Sequence, residues 1–240
     1  MKIIAIDSSG LVASVAYLED DILKAEYSVN HKKTHSQTLL PMLDEIVKMA
    51  EIELSEIDAI AIAKGPGSFT GLRIGSATVK GLGFALKKPV IEVSTLDALA
   101  YNLCGLNTIC CPIMDARRDQ VYTGIYEFLM DKEEHCFKMV SLSDNEAMSI
   151  DDLCAKLNEI GRPVTFTGDG IPVYKEKISS ILNVDYSFAP ANTAAQKAGC
   201  LAMIAKDKFI RGEFVDAAEH SPEYLRLSQA ERERMEAGNK

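Results

Sequence analysis

The order of strand-like and helix-like segments constrains the fold of this chain more than any other feature. In the first part of the chain, hydrophobic periodicity predicts three strands, a helix, a strand, a second helix and a short strand. These segments cover residues 2–8, 11–18, 22–29, 36–50, 59–63, 70–87 and 90–93. Ser9 and Gly10 predict a two-residue turn between the first two strands. The first part therefore has the element order βββαβα.

The same order returns after about residue 104. Three strand patterns, a helix that Ser149 caps, a strand and two helical stretches follow one another. They cover residues 108–115, 120–128, 136–142, 150–160, 164–167, 173–182 and 193–210. The two parts share little sequence identity, so the repeated order indicates duplication of architecture rather than of residues.

Two βββαβα units that face each other across a cleft are typical of the actin-like, sugar-kinase and Hsp70 ATPase fold. We therefore expect an α/β protein with a first half at residues 1–103 and a reduced second half at residues 104–227. The last helix is expected to pack back on the first half. Residues 228–240 form a polar tail that cannot bury an apolar face.

Composition excludes some classes of function. The chain has 240 residues, with 26 Lys and Arg against 35 Asp and Glu and a net charge of −9. This charge argues against autonomous binding of RNA or DNA, because phosphates require an excess of cations. A local basic patch stays open, with the candidate residues Lys32, Lys33, Arg73, Arg117 and Arg118.

Cellular location follows from what the sequence lacks. Six cysteines without CxxC or zinc-finger spacing indicate free thiols in a reducing compartment. The sequence shows neither a secretory signal nor an apolar stretch long enough to span a membrane. We therefore expect a cytoplasmic protein without a membrane partner.

Residues 65–86, GPGSFTGLRIGSATVKGLGFAL, form the most distinctive segment. A helix that begins after the Gly-Pro-Gly corner offers free N–H groups to an anion, but the segment matches neither Walker A nor GxGxxG. Gly71, Gly75, Gly81 and Gly83 each cost about 1 kcal/mol relative to Ala inside a helix. Such glycines indicate that another backbone comes close, either in this chain or in a partner.

The helix predicted within residues 36–50 carries more apolar surface than its own core requires. At about 100° per residue, its apolar side chains spread over roughly half of the circumference. A stripe about 100° wide is enough to face a core. The surplus belongs either to a deep crevice of the core or to an interface. Pro41 lacks an N–H group, so the helix is expected to kink or to begin near it.

His31 and His35 have the HxxxH spacing of a metal site. A zinc site needs a third ligand and a carboxylate that orients the histidines. Here two lysines lie between the histidines, and the pair precedes the predicted helix. We therefore expect no metal, and we expect His35 to pack against or cap the helix start. No Ser-His-Asp or Cys-His set has catalytic spacing.

Asp7 and Asp115 each end the first strand of their half. In the actin-like fold such carboxylates face the cleft, where they can orient a hydrated metal on a nucleotide. The alternative is a turn residue at a strand end. The predicted residues of this cleft, a vestigial nucleotide site, are Asp7, Ser8, Asp115, Gly168 and Gly170.

Five motifs together resemble a known family. They are IDSS at 6–9, HSQTLLPMLDEI at 35–46, GPGSFTGLRIG at 65–75, MDARRDQVY at 114–122 and PEYLR at 222–226. In this order, and over nearly the whole chain, they resemble the TsaB (YeaZ) family. TsaB-like proteins are similar in fold to TsaD, their catalytic relative, and older names call both glycoproteases.

The resemblance implies that the chain lacks the metal centre of TsaD. TsaD-like proteins follow a similar glycine-rich helix with a strand and then an HxxxH that binds the catalytic metal. The corresponding positions here hold Thr95 and Leu99. A leucine side chain cannot coordinate a metal, and a threonine hydroxyl is a poor substitute for imidazole. The resemblance thus implies a non-catalytic subunit without a cofactor.

The resemblance also implies partners. TsaB-like chains pair with TsaD through the glycine-rich helix and the amphipathic helix before it, and they self-associate through the same surface when alone. The ATPase TsaE joins the pair, which transfers threonylcarbamoyl to an adenosine of tRNA, so tRNA is reached only through the complex. The predicted partner-contact residues are Leu39, Leu40, Leu43, Val47, Gly71, Arg73, Gly75 and Val79.

Two other functions stay open. A small-molecule kinase of the same fold is favoured by Asp7, Asp115 and the turn Gly168-Asp169-Gly170. It is disfavoured because the second half is short and has no clear adenosine-binding glycine motif. A peptidase, as the older family names suggest, is disfavoured because neither a nucleophile nor a metal-ligand set is found.

Overall fold

The computed structural model describes residues 1–31 and 34–226. Within these residues the chain forms two β-sheets, each covered by helices. The element order and the sheet topology confirm the predicted actin-like α/β architecture of two βββαβα-type halves. Lys32 and Lys33 of the possible basic patch, and the predicted polar tail at 228–240, lie outside the described residues.

The first half contains a mixed five-stranded sheet. Its elements are β1 (Lys2–Asp7), β2 (Ala13–Glu19), β3 (Ile22–Val29), α1 (His35–Met49), a 3-10 turn (Leu54–Glu56), β4 (Ala59–Gly65), α2 (Phe69–Leu86), β5 (Val90–Ser94) and α3 (Thr95–Tyr101). The strand order in the described sheet is β3-β2-β1-β4-β5. β1, β2 and β3 are antiparallel, whereas β1, β4 and β5 are parallel, because helices make the crossover connections.

The second half repeats this plan with an extended sheet. Its elements are β6 (Ile109–Asp115), β7 (Gln120–Thr123), β8 (Tyr126–Asp131), β9 (Cys136–Ser141), β10 (Glu146–Ser149), α4 (Ile150–Ile160), β11 (Val164–Thr167), α5 (Ile171–Ile181), β12 (Tyr186–Phe188) and α6 (Ala198–Ile210). The strand path is β10-β7-β6-β11-β12, with β8 pairing with β6 and β9. The second half is reduced in its helices, since α4 and α5 have 11 residues each against 15 and 18 in α1 and α2.

The central strand β1 buries both of its faces, because successive side chains of a strand point in opposite directions. Ile4 and Ile6 join the core that α1 and α2 cover. Ile3 and Ala5 join the opposite core, where α6 returns to pack on the first sheet through Leu201 and its neighbours. No helix within residues 1–31 and 34–226 has the length and hydropathy that a bilayer span requires.

The joint between the halves is an apolar cluster around α3. Leu96 and Leu99 of α3 pack with Cys110 of β6 and with Tyr126 of β8. The opposite face of β6 packs against α4 and α5 in a separate core. The two halves therefore share a continuous hydrophobic contact on one side of the cleft.

The prediction of one strand at residues 120–128 is wrong, because β7 and β8 are separated by Gly124 and Ile125. Both strands still pair with β6, so the antiparallel meander is preserved. The hydroxyl group of Tyr126 lies 2.8 Å from Asp97 Oδ1 and 2.5 Å from Asn145 Oδ1. These contacts to distant segments account for the break, and no local pattern reveals them.

The predicted two-residue turn at Ser9 and Gly10 is also wrong, because residues 8–12 form a longer loop between β1 and β2. The hydroxyl group of Ser8 donates to the main-chain oxygen of Gly71 at 2.9 Å. The main-chain N–H of Ser68 donates to the oxygen of Ser9 at 2.7 Å. These bonds hold the loop against the start of α2 instead of in a tight hairpin.

Several helix boundaries differ from the sequence prediction, and one helix is absent from it. α1 begins at His35 and continues through Pro41. α3 is absent from the prediction, although the hydroxyl group of Ser94 caps it by accepting from two N–H groups at 3.2 and 3.4 Å. α6 begins at Ala198, later than the predicted start at residue 193. The short strands β10 and β12 are also missing from the prediction.

Candidate ligand cleft and partner face

A cleft with a volume of about 710 Å³ lies between the two halves. The first half contributes the β1–β2 loop with Ser9 and the start of α2 with Thr70. The second half contributes Asp115 at the end of β6 and Asp169 after β11. Arg226, close to the end of the described chain, lines the same space.

The aspartates at the ends of β1 and β6 make the same turn. Asp7 Oδ1 accepts from the main-chain N–H of Ser9 at 2.9 Å, and Asp115 Oδ1 accepts from the main-chain N–H of Arg117 at 2.8 Å. A carboxylate that accepts from the N–H two residues later is an Asx turn. The duplication of the two halves thus extends to the geometry of these turns.

The two aspartates differ in their access to the cleft. Asp7 is fully buried, its Oδ1 also accepts from the Ser9 hydroxyl at 2.6 Å, and its Oδ2 has no partner among the described residues. Burial raises the pKa of Asp7, although the bonds from Ser9 oppose this shift. Asp115 lines the cleft and pairs with the Arg117 guanidinium at 3.2 Å. Asp7 is thus bonded to the β1–β2 loop and does not line the cleft, and its part in a nucleotide site stays a prediction.

The other predicted cleft residues serve as supports. The Ser8 hydroxyl is bonded to Gly71, as described above. A Cβ atom on Gly168 would overlap the carbonyl oxygen of Ile113, and the N–H of Gly170 donates to that oxygen at 2.9 Å. None of these three residues lines the cleft described here, whereas Asp169 between the glycines does. The sequence signal for Asp169 is its place in the Gly-Asp-Gly turn.

Asp169 and Asp115 bring two carboxylates together in the second half. The main-chain N–H of Asp115 donates to Asp169 Oδ1 at 3.3 Å. Burial raises the pKa of Asp169 to about 6, and the nearby charge of Asp115 adds to this shift. Burial also raises the pKa of Tyr174, whose hydroxyl group lies 3.2 Å from Asp115 Oδ1, to about 12. A neutral tyrosine is therefore a stable donor to the Asp115 carboxylate.

His31 and His35 both line the cleft. Nε2 of His35 lies 2.8 Å from the carbonyl oxygen of Gly10, so His35 packs on the β1–β2 loop as well as opening α1. Thr34 occupies the cap position of α1, and the Thr34 side chain makes no cap bond. Among the described residues, no group of three or more His, Cys, Asp or Glu side chains is arranged to hold a metal ion.

The structure buries five of the eight predicted partner-contact residues in the chain's own core. These are Leu39, Leu43, Gly71, Gly75 and Val79. A Cβ atom on Gly71 would overlap the carbonyl oxygen of Ser8, and Gly75 faces the Ser8 side chain. The close approach that these glycines permit is therefore made by Ser8, at the start of the β1–β2 loop of the same chain. As partner contacts these five residues stay a prediction, which their burial in the isolated chain disfavours.

The other three predicted residues keep accessible surface. Leu40 is 55% exposed, Arg73 is exposed and Val47 is partly exposed. Of the six exposed residues on α2, Ala85 lies about 40° outside a sector of about 80° that holds the other five, at 100° per residue. We call this surface the α2 stripe: Thr70, Arg73, Ala77, Gly81 and Phe84.

The α2 stripe combines a small centre with an aromatic end. A Cβ atom on Gly81 would have no neighbour within 4 Å, and Phe84 is 60% exposed. Periodicity alone does not separate Gly81 from the buried glycines of the same helix. Gly81 and Phe84 are accordingly missing from the partner-contact residues that were predicted from the sequence.

The chain is similar in sequence to proteins of known family. The model of the family described as TsaD, tRNA N6-adenosine threonylcarbamoyltransferase, matches residues 25–234. A tRNA threonylcarbamoyladenosine biosynthesis protein TsaB from Bacillus subtilis (strain 168) is 34% identical over 237 residues, which cover 99% of each chain. The TsaB protein of Escherichia coli (strain K12) is 36% identical over 129 residues, 53% of this chain and 55% of that protein.

A solved structure agrees with these sequence matches. It is the crystal structure of an uncharacterized protein with similarity to peptidase YEAZ from Pseudomonas aeruginosa, with a TM-score of 0.78 and 29% identity. The match covers 94% of this chain and 99% of that one. Fold and cleft together define an actin-like protein related to the TsaD threonylcarbamoyltransferases. Within this class, the chain belongs to the TsaB (YeaZ) family.

The two residues that the resemblance places at the TsaD metal-ligand positions do not fit a metal. Thr95 and Leu99 lie on α3 and are completely buried. The Thr95 hydroxyl group has no hydrogen-bond partner among the described residues, and it is the one donor atom that this pair of side chains offers. Metal ions in proteins require several N, O or S ligands. Thr95 and Leu99 therefore do not supply a metal-ligand set.

Proposed function

We propose that this chain is a non-catalytic subunit in tRNA threonylcarbamoyladenosine biosynthesis, and that it supports threonylcarbamoyl transfer by pairing with a TsaD-type protein. A TsaE-type ATPase joins the pair, and tRNA is contacted through the complex. In the absence of its partner, the chain self-associates through the same surface. The family membership and the names of the relatives support the pathway.

The α2 stripe is the observation that carries the pairing. It places an open glycine, Gly81, and a largely exposed phenylalanine, Phe84, on one face of an otherwise buried helix. A glycine costs about 1 kcal/mol in a helix, so an unfilled glycine on an exposed face needs a reason outside the monomer. A partner helix that packs against Gly81 supplies this reason, because a missing side chain lets two helices approach closely.

The absence of catalysis rests on Thr95 and Leu99. Both side chains are buried, and Leu99 belongs to the apolar cluster between α3 and the second half. Neither side chain carries the imidazole group that the resemblance to TsaD implies for a metal ligand at these positions. The substrate chemistry therefore belongs to the partner, and this chain contributes binding surface. An assay of tRNA modification tests this division. We expect product from the pair with TsaD and none from this chain alone, whatever metal is added.

The pairing is tested with a variant of the α2 stripe. Gly81→Arg fills open space, so the isolated chain should keep its melting temperature, whereas affinity for the TsaD protein should fall at least about tenfold, equivalent to 1.4 kcal/mol. Leu129→Arg on β8 is the matched control, because Leu129 is 50% exposed and lies in the second half. Equal affinity of wild type and Gly81→Arg for TsaD would place the interface elsewhere.

For the cleft, we propose a vestigial nucleotide site. Asp7 and Ser8 are used in bonds within the chain, and Gly168 and Gly170 support the loop that carries Asp169. Asp115 and Asp169 line the cleft, and Asp115 forms an ion pair with Arg117. Calorimetry with Mg²⁺ and ATP tests this proposal. Micromolar binding that Asp115→Asn abolishes would instead favour the kinase-like alternative.

A further inference from the structure

The C-terminal part of the described chain makes a turn at residues 217–219 and then runs along α2 without regular secondary structure. Its entry is fixed at the edge of the first sheet, where Val215 and Val90 exchange two main-chain hydrogen bonds of 2.9 Å. We call residues 217–226 the strap. The strap contains PEYLR, a motif that marks the family in the sequence and that the proposed function leaves without a role.

Five residues of α2 touch the strap on successive turns. A Cβ atom on Gly83 would lie 2.6 Å from the Ala217 side chain. The ammonium group of Lys80 donates to the Ala218 oxygen at 3.2 Å. The Tyr224 ring stacks on another residue, Phe69, with centroids 4.5 Å apart and planes 9° apart. The strap thus follows α2 from its last turns to its first.

Arg73 belongs to both surfaces. Its Nε donates to the Tyr224 hydroxyl group at 3.3 Å, and its side chain is also part of the α2 stripe. At 100° per residue, the strap contacts at Phe69, Arg73, Ser76, Lys80 and Gly83 fall within a sector of about 80° beside the stripe. The strap therefore forms one border of the proposed docking surface.

A buried hydrogen-bonded chain anchors the middle of the strap. Nε2 of His220 lies 2.8 Å from the Ser76 hydroxyl oxygen, and Nδ1 lies 2.6 Å from Glu92 Oε1. His220 is 1% exposed. A hydrogen bond to a charged group in such a site contributes about 1.5–3 kcal/mol. The anchor ties the strap to α2 and to β5 at the same point.

The far end of the strap crosses to the second half. Glu223 is held at β4 by a main-chain bond of 2.7 Å to the Lys64 oxygen and by a side-chain ion pair of 2.8 Å. Three residues later, the Arg226 guanidinium donates to the Ala116 oxygen at 2.7 Å, at the end of β6 and beside the cleft. The strap is thus bonded to both halves, and its contacts with α2 lie between the Val215–Val90 bridge and the Arg226–Ala116 bond.

We propose that the strap couples the second half to the docking surface: the Arg226–Ala116 bond holds the strap, and the strap holds α2 in the orientation that the partner recognises. Breaking the Arg226–Ala116 bond does not change the residues of the α2 stripe. It removes a restraint on the side of α2 that Tyr224 and His220 contact. The effect on docking rests on the proposed function, whereas the effect on α2 is a property of this chain alone.

Hydrogen–deuterium exchange of the full chain tests the coupling without a partner. In Arg226→Ala, we expect amide exchange in residues 69–80 to rise at least about fivefold, the lower end of typical coupling between sites. Because coupling is reciprocal, Tyr224→Ala at the other end should raise exchange in residues 109–116. Arg226→Lys keeps a donor for Ala116 and should restore much of the protection. Glu219→Ala is the control, since Glu219 is exposed on the same strap.

Partner affinity gives the second readout. Arg226→Ala should weaken binding of the TsaD protein about fivefold or more, and Glu219→Ala should not change it. Unchanged exchange in residues 69–80 of folded Arg226→Ala overturns the coupling, and so does exchange that rises only around Ala116. If the wild-type chain does not bind TsaD, the proposed function is contradicted. The exchange result then tests by itself whether the strap couples the second half to α2.

Discussion

The hydroxyl group of Ser8 donates a hydrogen bond of 2.9 Å to the main-chain oxygen of Gly71, which fixes the end of β1 to the first turn of α2. A side chain at position 71 would overlap the Ser8 carbonyl oxygen. One turn later, a Cβ atom on Gly75 would meet the Ser8 side chain and would lie 3.0 Å from Ile62 Cδ1. The glycines in the first half of α2 therefore serve the fold of this chain.

Alanine substitutions should separate the two kinds of glycine in α2. Gly71→Ala forces β1 and α2 apart and should lower the free energy of unfolding by about 1–3 kcal/mol. Gly81→Ala meets no atom within 4 Å and removes a poor helix former, so it should raise the free energy by up to about 1 kcal/mol. Urea unfolding of both variants measures the difference. If instead Gly71→Ala stabilises the chain and Gly81→Ala destabilises it, the close contact lies at Gly81.

The element order was predictable because helix and strand periodicities are local. α4 and β11 follow their sequence patterns at both ends, and the Ser149 cap is present, with its hydroxyl accepting from the Asp152 N–H at 3.0 Å. The loop at residues 8–12 was not predictable, because bonds to α2 decide its course. The same holds for the break at Gly124, which depends on contacts with Asp97 and Asn145.

The site was less predictable than the fold. Spacing identifies the family motifs but does not tell which glycines of α2 face the core, so Gly71 and Gly81 look alike in the sequence. Spacing also places Asp7 and Asp115 at equivalent strand ends, although Asp7 is buried and Asp115 lines the cleft. The strap needed the structure, because its contacts join residues more than a hundred positions apart, such as Ser76 and His220.

Asp169 should make stability depend on pH in a defined direction. Burial raises its pKa to about 6 from an ordinary value of 3.8, so the folded state holds the proton more tightly than the unfolded state. The resulting stabilisation is complete below pH 3.8 and is lost as the pH rises through about 6. Two pKa units correspond to about 3 kcal/mol.

Asp169→Asn keeps the acceptor for the Asp115 N–H but carries no charge. Relative to wild type, its free energy of unfolding should therefore increase between pH 4 and pH 7, by up to about 3 kcal/mol. Chemical unfolding at several pH values gives this difference curve. A difference that stays flat or falls with pH would show that the Asp169 carboxylate is stabilised in its charged form.

Glu92 should produce the opposite pH dependence. Its bond to His220 lowers the pKa of Glu92 below the ordinary value of 4.5, against the effect of burial. A lowered pKa contributes stability above pH 4.5 that is lost as the pH falls through the folded-state pKa. Glu92→Gln should therefore cost about 1.5–3 kcal/mol at pH 7 and progressively less below pH 4.5.

Thermal unfolding of Glu92→Gln across this pH range is the measurement. Glu219→Gln serves as the control, because Glu219 is exposed on the same segment and should give a small, nearly pH-independent change. A Glu92→Gln cost that is equal at pH 4 and pH 7 would assign the loss to packing rather than to the charged bond with His220.

Self-association of the isolated chain should depend on Phe84. The ring is 60% exposed at the end of the α2 stripe, so a self-complementary contact through this face would bury it. Phe84→Glu places an unpaired charge there, and burying such a charge is strongly unfavourable. The variant should raise the dimer dissociation constant at least about tenfold, which corresponds to 1.4 kcal/mol. Sedimentation equilibrium of the pure chain measures this constant.

Leu129→Glu, at a position 50% exposed on β8, should dimerise like wild type, and both variants should keep the wild-type melting temperature of the monomer. Loss of dimer in Leu129→Glu but not in Phe84→Glu would move the contact to the second half, and with it the surface on which the proposed pairing depends.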